Sequence, residues 1–115
     1  MLPGYEAYDY ENITIDNTAG GIGFTAAKVT PAAPTPYRAA AVEFSIDGTA
    51  TNSINYTLEG TAPTADAGTA LGQKAFVNDV VSIFEYNNIR QFKAIRSAGV
   101  SATLRVTYFR RIGTK

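Results

Sequence analysis

Four stretches of this chain alternate apolar and polar side chains with a period of two, and no stretch repeats as clearly with a helical period. In residues 102–110, Leu104, Val106 and Tyr108 alternate with Thr103, Arg105, Thr107 and Phe109. Residues 40–47 set Val42, Phe44 and Ile46 against Glu43, Ser45 and Asp47. Residues 53–58 space Ile54, Tyr56 and Leu58 in the same way, and residues 12–17 space Ile13 and Ile15. A strand sends successive side chains to opposite faces, so each stretch has one face to bury. Residues 79–86 and 91–96 alternate less cleanly, but their β-branched and aromatic content fits strands. Residues 24–30 form a weaker seventh candidate.

Turn chemistry separates these stretches. Asp47-Gly48 follows the second, Glu59-Gly60-Thr61-Ala62-Pro63 follows the third, and Asn87-Asn88 and Ala98-Gly99 bracket residues 91–96. Short strands with polar turns at this spacing predict an all-β fold, an antiparallel β-sandwich of six to eight strands. Residues 62–73 are rich in alanine, but Pro63, Gly68 and Gly72 argue for a loop. The prolines at 31, 34 and 36 make a stiff, extended connector. No internal repeat is visible. With 115 residues the chain has the length of one domain. The expected division is an extended N-terminal arm over residues 1–11 and a single β-sandwich domain over residues 12–115.

The charge sums to zero, from 10 basic and 10 acidic residues, but it is distributed unevenly. Glu6, Asp9, Glu11 and Asp16 precede the first basic residue, Lys28, and lie among Tyr5, Tyr8 and Tyr10. After Glu85 there is no acid, while Arg90, Lys93, Arg96, Arg105, Arg110, Arg111 and Lys115 follow. Tyrosine combines a large apolar area with a polar tip, which suits interfaces. The expectation is that the arm (Tyr5, Tyr8, Asp9, Tyr10, Glu11) meets the basic strands (Arg90, Lys93, Arg96, Arg105, Arg110, Arg111) of another subunit; the alternative is an arm lying over its own sandwich, or frayed. Association of that kind would weaken with salt, and deleting residues 1–11 would abolish it while sparing the sandwich. Basic residues on strands can equally be a solvated face that discourages aggregation.

Several function classes have little support. Without histidine or cysteine, neither a Ser-His-Asp nor a Cys-His arrangement can form, and the commonest zinc ligands are missing. No carboxylate pair is marked by spacing, so no enzyme is expected, and no cofactor or metal. Gly20-Gly21-Ile22-Gly23 matches neither phosphate-binding loop pattern, and a turn or bulge is expected. Asp47-Gly48 and Asp66 lack the spacing of a calcium loop. The neutral total argues against nucleic acid, despite arginines interleaved with Phe92, Tyr108 and Phe109. No apolar stretch reaches the roughly 18 residues of a membrane helix, and no basic-then-apolar leader opens the sequence. A soluble protein made in the cytoplasm is expected.

From about residue 39 to residue 110 the chain resembles small β-sandwich structural proteins of tailed bacteriophages. The residues that carry the likeness are Tyr56-Thr57-Leu58-Glu59-Gly60-Thr61-Ala62-Pro63-Thr64, then Phe92-Lys93-Ala94-Ile95-Arg96, then Ala102-Thr103-Leu104-Arg105-Val106-Thr107-Tyr108-Phe109. The resemblance implies a non-enzymatic virion protein of the capsid decoration (cement) or minor capsid type, seated on the outer head surface. It implies the major capsid protein or other virion proteins as partners, and a homo-oligomer, often a trimer. Two other readings remain. One is a tail, baseplate or head–tail connector component on the same sandwich. The other is a carbohydrate-binding module using Tyr37, Tyr86 or Phe109 as a stacking platform.

Overall fold

The computed structural model describes residues 3–35, 37–49, 52–66, 71–97 and 99–112. Seven strands and two short helices follow in the order β1 (Tyr5–Ile15), α1 (Ala26–Val29), β2 (Ala41–Asp47), β3 (Ser53–Thr57), β4 (Gln73–Phe76), β5 (Val80–Phe84), α2 (Tyr86–Gln91), β6 (Lys93–Arg96) and β7 (Ala102–Arg111). The chain is an all-β sandwich. One antiparallel sheet has the order β1-β7-β2-β5, the other β4-β3-β6. Among the described residues, no helix is long and apolar enough to cross a membrane.

Alternation decides the layering. Val42, Phe44 and Ile46 of β2 and Leu104, Val106 and Tyr108 of β7 turn inward and are buried, facing Ile54 and Ala94 of the smaller sheet. Aromatic rings fill the space between. Phe24 stacks on Phe92 with centroids 4.2 Å apart, and Phe44 meets Phe92 at 5.6 Å edge to face. Rings of this size supply much of the buried apolar area of a small sandwich.

The two flanks of the sandwich differ. On one, residues 16–22 bond along the edge of β6, while residues 25–28 reach the edge strand β1 through side-chain contacts. Arg96 N–H donates to the Asp16 carbonyl at 2.9 Å, and Ile22 and Ala94 exchange backbone bonds of 2.7 and 2.9 Å along β6. Gly20 and Gly21 turn the chain there with φ of 89° and 86°, so that glycine cluster is a turn. α1 then lies against β1. On the other flank, β4 and β5 are the outermost strands of their sheets and are joined by the short turn 77–79. Asn78 holds φ of 74° in that turn, while Asp79 accepts the Phe76 N–H at 2.8 Å.

Four expectations are revised. Residues 24–30 hold the helical turn α1 instead of a strand: a turn beginning at two alanines suffices to bury Val29. Asn87-Asn88 lies inside α2, with Ile89 buried. β4 was not foreseen. Of the stretch expected as a loop, residues 62–66 carry no regular structure, residues 67–70 lie outside the described residues, and Gln73 begins β4. Gly72 permits that start, because a Cβ on it would lie 2.7 Å from the Tyr56 carbonyl oxygen.

The boundary expected between residues 11 and 12 has no structural counterpart. β1 runs through it from Tyr5 to Ile15, paired with β7 along its length and irregular only between Ala7 and Asp9. Residues 5–11 are therefore an edge strand of their own sheet.

Candidate interaction surfaces

The acidic front and the basic back of the sequence meet within one chain. Antiparallel pairing of β1 with β7 sets Glu6 opposite Arg110, and Glu6 Oε1 accepts from Arg110 Nε at 2.9 Å and also from Nη2. Lys28 Nζ of α1 donates to Asp9 Oδ2 at 3.0 Å, and Arg105 Nε donates to Asp47 Oδ2 across β7 and β2 at the same distance. Lys74 similarly bonds Asp66. Sheet register thus sets Glu6 of the expected arm against Arg110 of the basic strands within one chain.

The tyrosines of β1 are also engaged at home. The Tyr5 ring lies 5.8 Å from Phe84 and 5.1 Å from the Arg111 guanidinium. Tyr8 points inward at the bulge, donates its hydroxyl to the Lys28 carbonyl, and packs edge-on against Tyr37 at 5.0 Å. Arg110 in turn sits 4.9 Å over the Tyr37 ring. Glu11, on the inner side, accepts from the Tyr108 hydroxyl and from Thr25 Oγ1 at 2.7 Å. Only Tyr10 remains largely open, with 67% of its surface exposed.

These contacts shift the titrations. Burial pushes the Tyr108 hydroxyl far above the usual phenol range, with the Glu11 bond and charge adding to it. Burial raises Tyr8 likewise, assisted by Tyr37 and Asp9, and raises Tyr56. The Lys28 ammonium, then the Tyr10 N–H, hold the Asp9 carboxyl below the ordinary carboxylate range. Thr18 does the same for Asp16, and Lys74 followed by Asn55 for Asp66.

The basic block does not form one patch. Arg90 is on α2, 3.4 Å from the Asn87 side chain. Lys93 and Arg96 are half-buried on β6 of the smaller sheet. Arg105, Arg110 and Arg111 are on β7 of the larger one. Of the residues expected at an interface, the fold brings Tyr10, Glu11 and Arg105 to one concavity, Tyr5 to Arg111, and Tyr8 to Arg110 through Tyr37. The aromatic platform proposed for sugars is not formed. Phe109 is 3% exposed, in a register row between Ala7 and Ala41. Tyr37 packs on Tyr8, and Tyr86 lies under Arg38 at 4.0 Å. No family model, curated protein or solved structure matches this chain.

Two surfaces remain that internal contacts do not account for. The first is the open flank. Among the described residues β4 and β5 each have a strand on one side only, and around them Phe76 (52% exposed), Val80 (63%), Leu71 and, beside Tyr5, Phe84 (41%) reach solvent. An unpaired strand edge is a template for another chain, and exposed apolar side chains beside it add area to bury. Only the β5 half of this flank was expected from the sequence, because β4 is short and only Ala75 in it is buried. The second is the outer face of the four-stranded sheet, a shallow concavity of about 540 Å³ floored by β1, β7 and β2, with Val80 at its margin. Among the described residues, no group of three or more carboxylates, histidines or cysteines could hold a metal.

Proposed function

We propose that this chain is a non-enzymatic structural protein of a tailed-phage virion, of the capsid decoration type, and that it attaches to the outer shell through the β4–β5 flank. The observation that carries the reading is a pair of strand edges, β4 and β5, joined by one turn and, among the described residues, without a second neighbour, beside exposed Phe76, Val80 and Phe84, whereas the β6 edge is covered by residues 16–22. A shell protein could add a strand to such an edge, its backbone supplying affinity and the apolar side chains supplying fit. The resemblance to small virion β-sandwiches gives the setting, and the segments that bear it include β3, β6 and β7. Many equivalent sites on a shell, each binding the assembled form only, would raise the temperature at which the shell disrupts.

Copy number on gradient-purified, DNA-filled particles is the test. Abundance comparable with the major capsid subunit supports decoration. A small fraction of it moves the chain to the tail, baseplate or connector, and absence from particles ends the virion reading. In the same assay, F76D/V80D, at the two most exposed of these positions, should lose attachment while melting like the parent chain. Full attachment of that folded variant would remove the flank from the proposal.

A further inference from the structure

We infer that the outer face of the four-stranded sheet is a saccharide-binding groove that takes a short neutral oligosaccharide. Register lays its floor out in two rows. Tyr10, Thr107 and Glu43 lie side by side across β1, β7 and β2, and Asn12, Arg105 and Ser45 form the next row, continued by Val80 of β5. With strands about 4.8 Å apart, a row crossing the four strands spans roughly 14 Å. The concavity of about 540 Å³ falls within the range of small-molecule sites.

The floor's chemistry selects the ligand. The side chains of Asn12, Glu43, Ser45 and Thr107 take part in no hydrogen bond or ion pair with the described residues, in contrast to the acids of β1 at Glu6, Asp9 and Glu11. An amide, a carboxylate and two hydroxyls are thus left to face whatever fills the groove. An apolar partner would bury them unpaired, which is unfavourable for each such group. Sugar hydroxyls, which both donate and accept, would satisfy them.

Charge narrows the choice further. Arg105 is neutralised by Asp47 at 3.0 Å, yet its terminal guanidinium nitrogens keep N–H donors to spare. Glu43 and Glu11 line the concavity with no cation among the described residues paired to either, and their charge repels phosphates and acidic sugars. Tyr10, the most exposed large apolar side chain of the described residues, offers a ring for the C–H face of a pyranose. The groove and the β4–β5 flank share Val80 and otherwise differ, so each can fail without the other.

The test is an amide NMR titration of the full chain with maltotetraose, cellotetraose, chitotetraose and mannotetraose. At least one should shift signals of residues 10–12, 43–45 and 105–107 in a saturable way. Y10A should weaken that binding about tenfold, and E43A should weaken it as well. Because the side chains of Tyr10 and Glu43 hold no internal bond, both variants should melt like the parent, which separates lost binding from lost folding. Shifts confined to other residues, unchanged affinity of folded Y10A, or silence with all four probes up to roughly 10 mM would overturn the inference. Shifts in these residues that depend on protein concentration without sugar would assign the face to a second copy of the chain, and would overturn it too.

Discussion

The hydroxyl of Tyr108 donates a hydrogen bond to the carboxylate of Glu11, tying a fully buried ring of β7 to an acid of the edge strand β1. A bond to a charged acceptor at a partly dry site contributes more than an ordinary one. Y108F should therefore lower unfolding stability by about 1–2 kcal/mol, and Y108A, which also empties the ring's space, by about 3–5 kcal/mol. Urea unfolding monitored by circular dichroism measures both. A Y108F midpoint equal to the parent's would show that the bond adds nothing.

Stability should be flat across neutral pH and fall at both ends. With no histidine, no side chain of ordinary pKa titrates between about pH 5 and 8. Asp9, Asp16 and Asp66 are held below the usual carboxylate value. Their contribution is complete above about pH 4 and disappears as acid protonates the folded forms. Tyr8, Tyr56 and Tyr108 are raised, so their contribution is complete below about pH 10 and lost above it, where the unfolded chain ionises first. Melting temperatures from pH 2 to 12, with tyrosinate absorbance followed in parallel, check this. A slope between pH 5 and 8 would contradict it.

Attachment should not weaken with salt. Asp9 and Glu6 are already bonded to Lys28 and Arg110 of the same chain and Glu11 to Tyr108 and Thr25, and the side chains exposed beside the β4–β5 edges are largely apolar. Binding to particles should hold or strengthen from about 0.05 to 0.5 M sodium chloride, since screening removes little and apolar burial is not screened. E6Q should cost under about 1 kcal/mol, as exposed pairs do. A steep loss with salt would restore an electrostatic interface.

Deleting residues 1–11 should unfold the protein. The truncation removes most of β1, the Tyr8 ring and the Glu11 acceptor, and leaves β7 as a bare edge. Far-ultraviolet circular dichroism and thermal melting should show loss of cooperative structure. A truncated chain that still melts cooperatively near the parent temperature would return these residues to the status of an arm.

G72A should destabilise by about 1–3 kcal/mol, because φ of 116° and the approach to the Tyr56 carbonyl both exclude a side chain. Thermal melting reads this directly, and an unchanged melt would show that the start of β4 can shift without penalty.

The strands were legible where one face is apolar and the other polar. Val42, Phe44 and Ile46, or Leu104, Val106 and Tyr108, announce themselves by period alone. The first half of β1 did not, for two physical reasons. The bulge between Ala7 and Asp9 resets the alternation, and the inward Glu11 is polar because it is bonded to Tyr108 and Thr25. α1 and α2 are too short for a helical period to register. The charge asymmetry was visible, but sequence cannot distinguish opposite charges meeting in one chain from those meeting between two. That depends on which strands are neighbours. The two candidate surfaces were hidden for the same reason, since the floor of the groove is assembled from β1, β2 and β7, far apart in sequence.

The pairing of β1 with β7 has a consequence for how the protein is made. Glu6 and Arg110 are 104 positions apart, and Tyr108 and Glu11 are 97 apart. Nearly all of the chain must leave the ribosome before its first strand can find its partner. Closing loops of that length before any contact rewards it places such topologies in the millisecond-to-second range of refolding. Until then, the tyrosine-rich segment waits for β7, and its four acids, Glu6, Asp9, Glu11 and Asp16, keep like nascent segments apart during the delay.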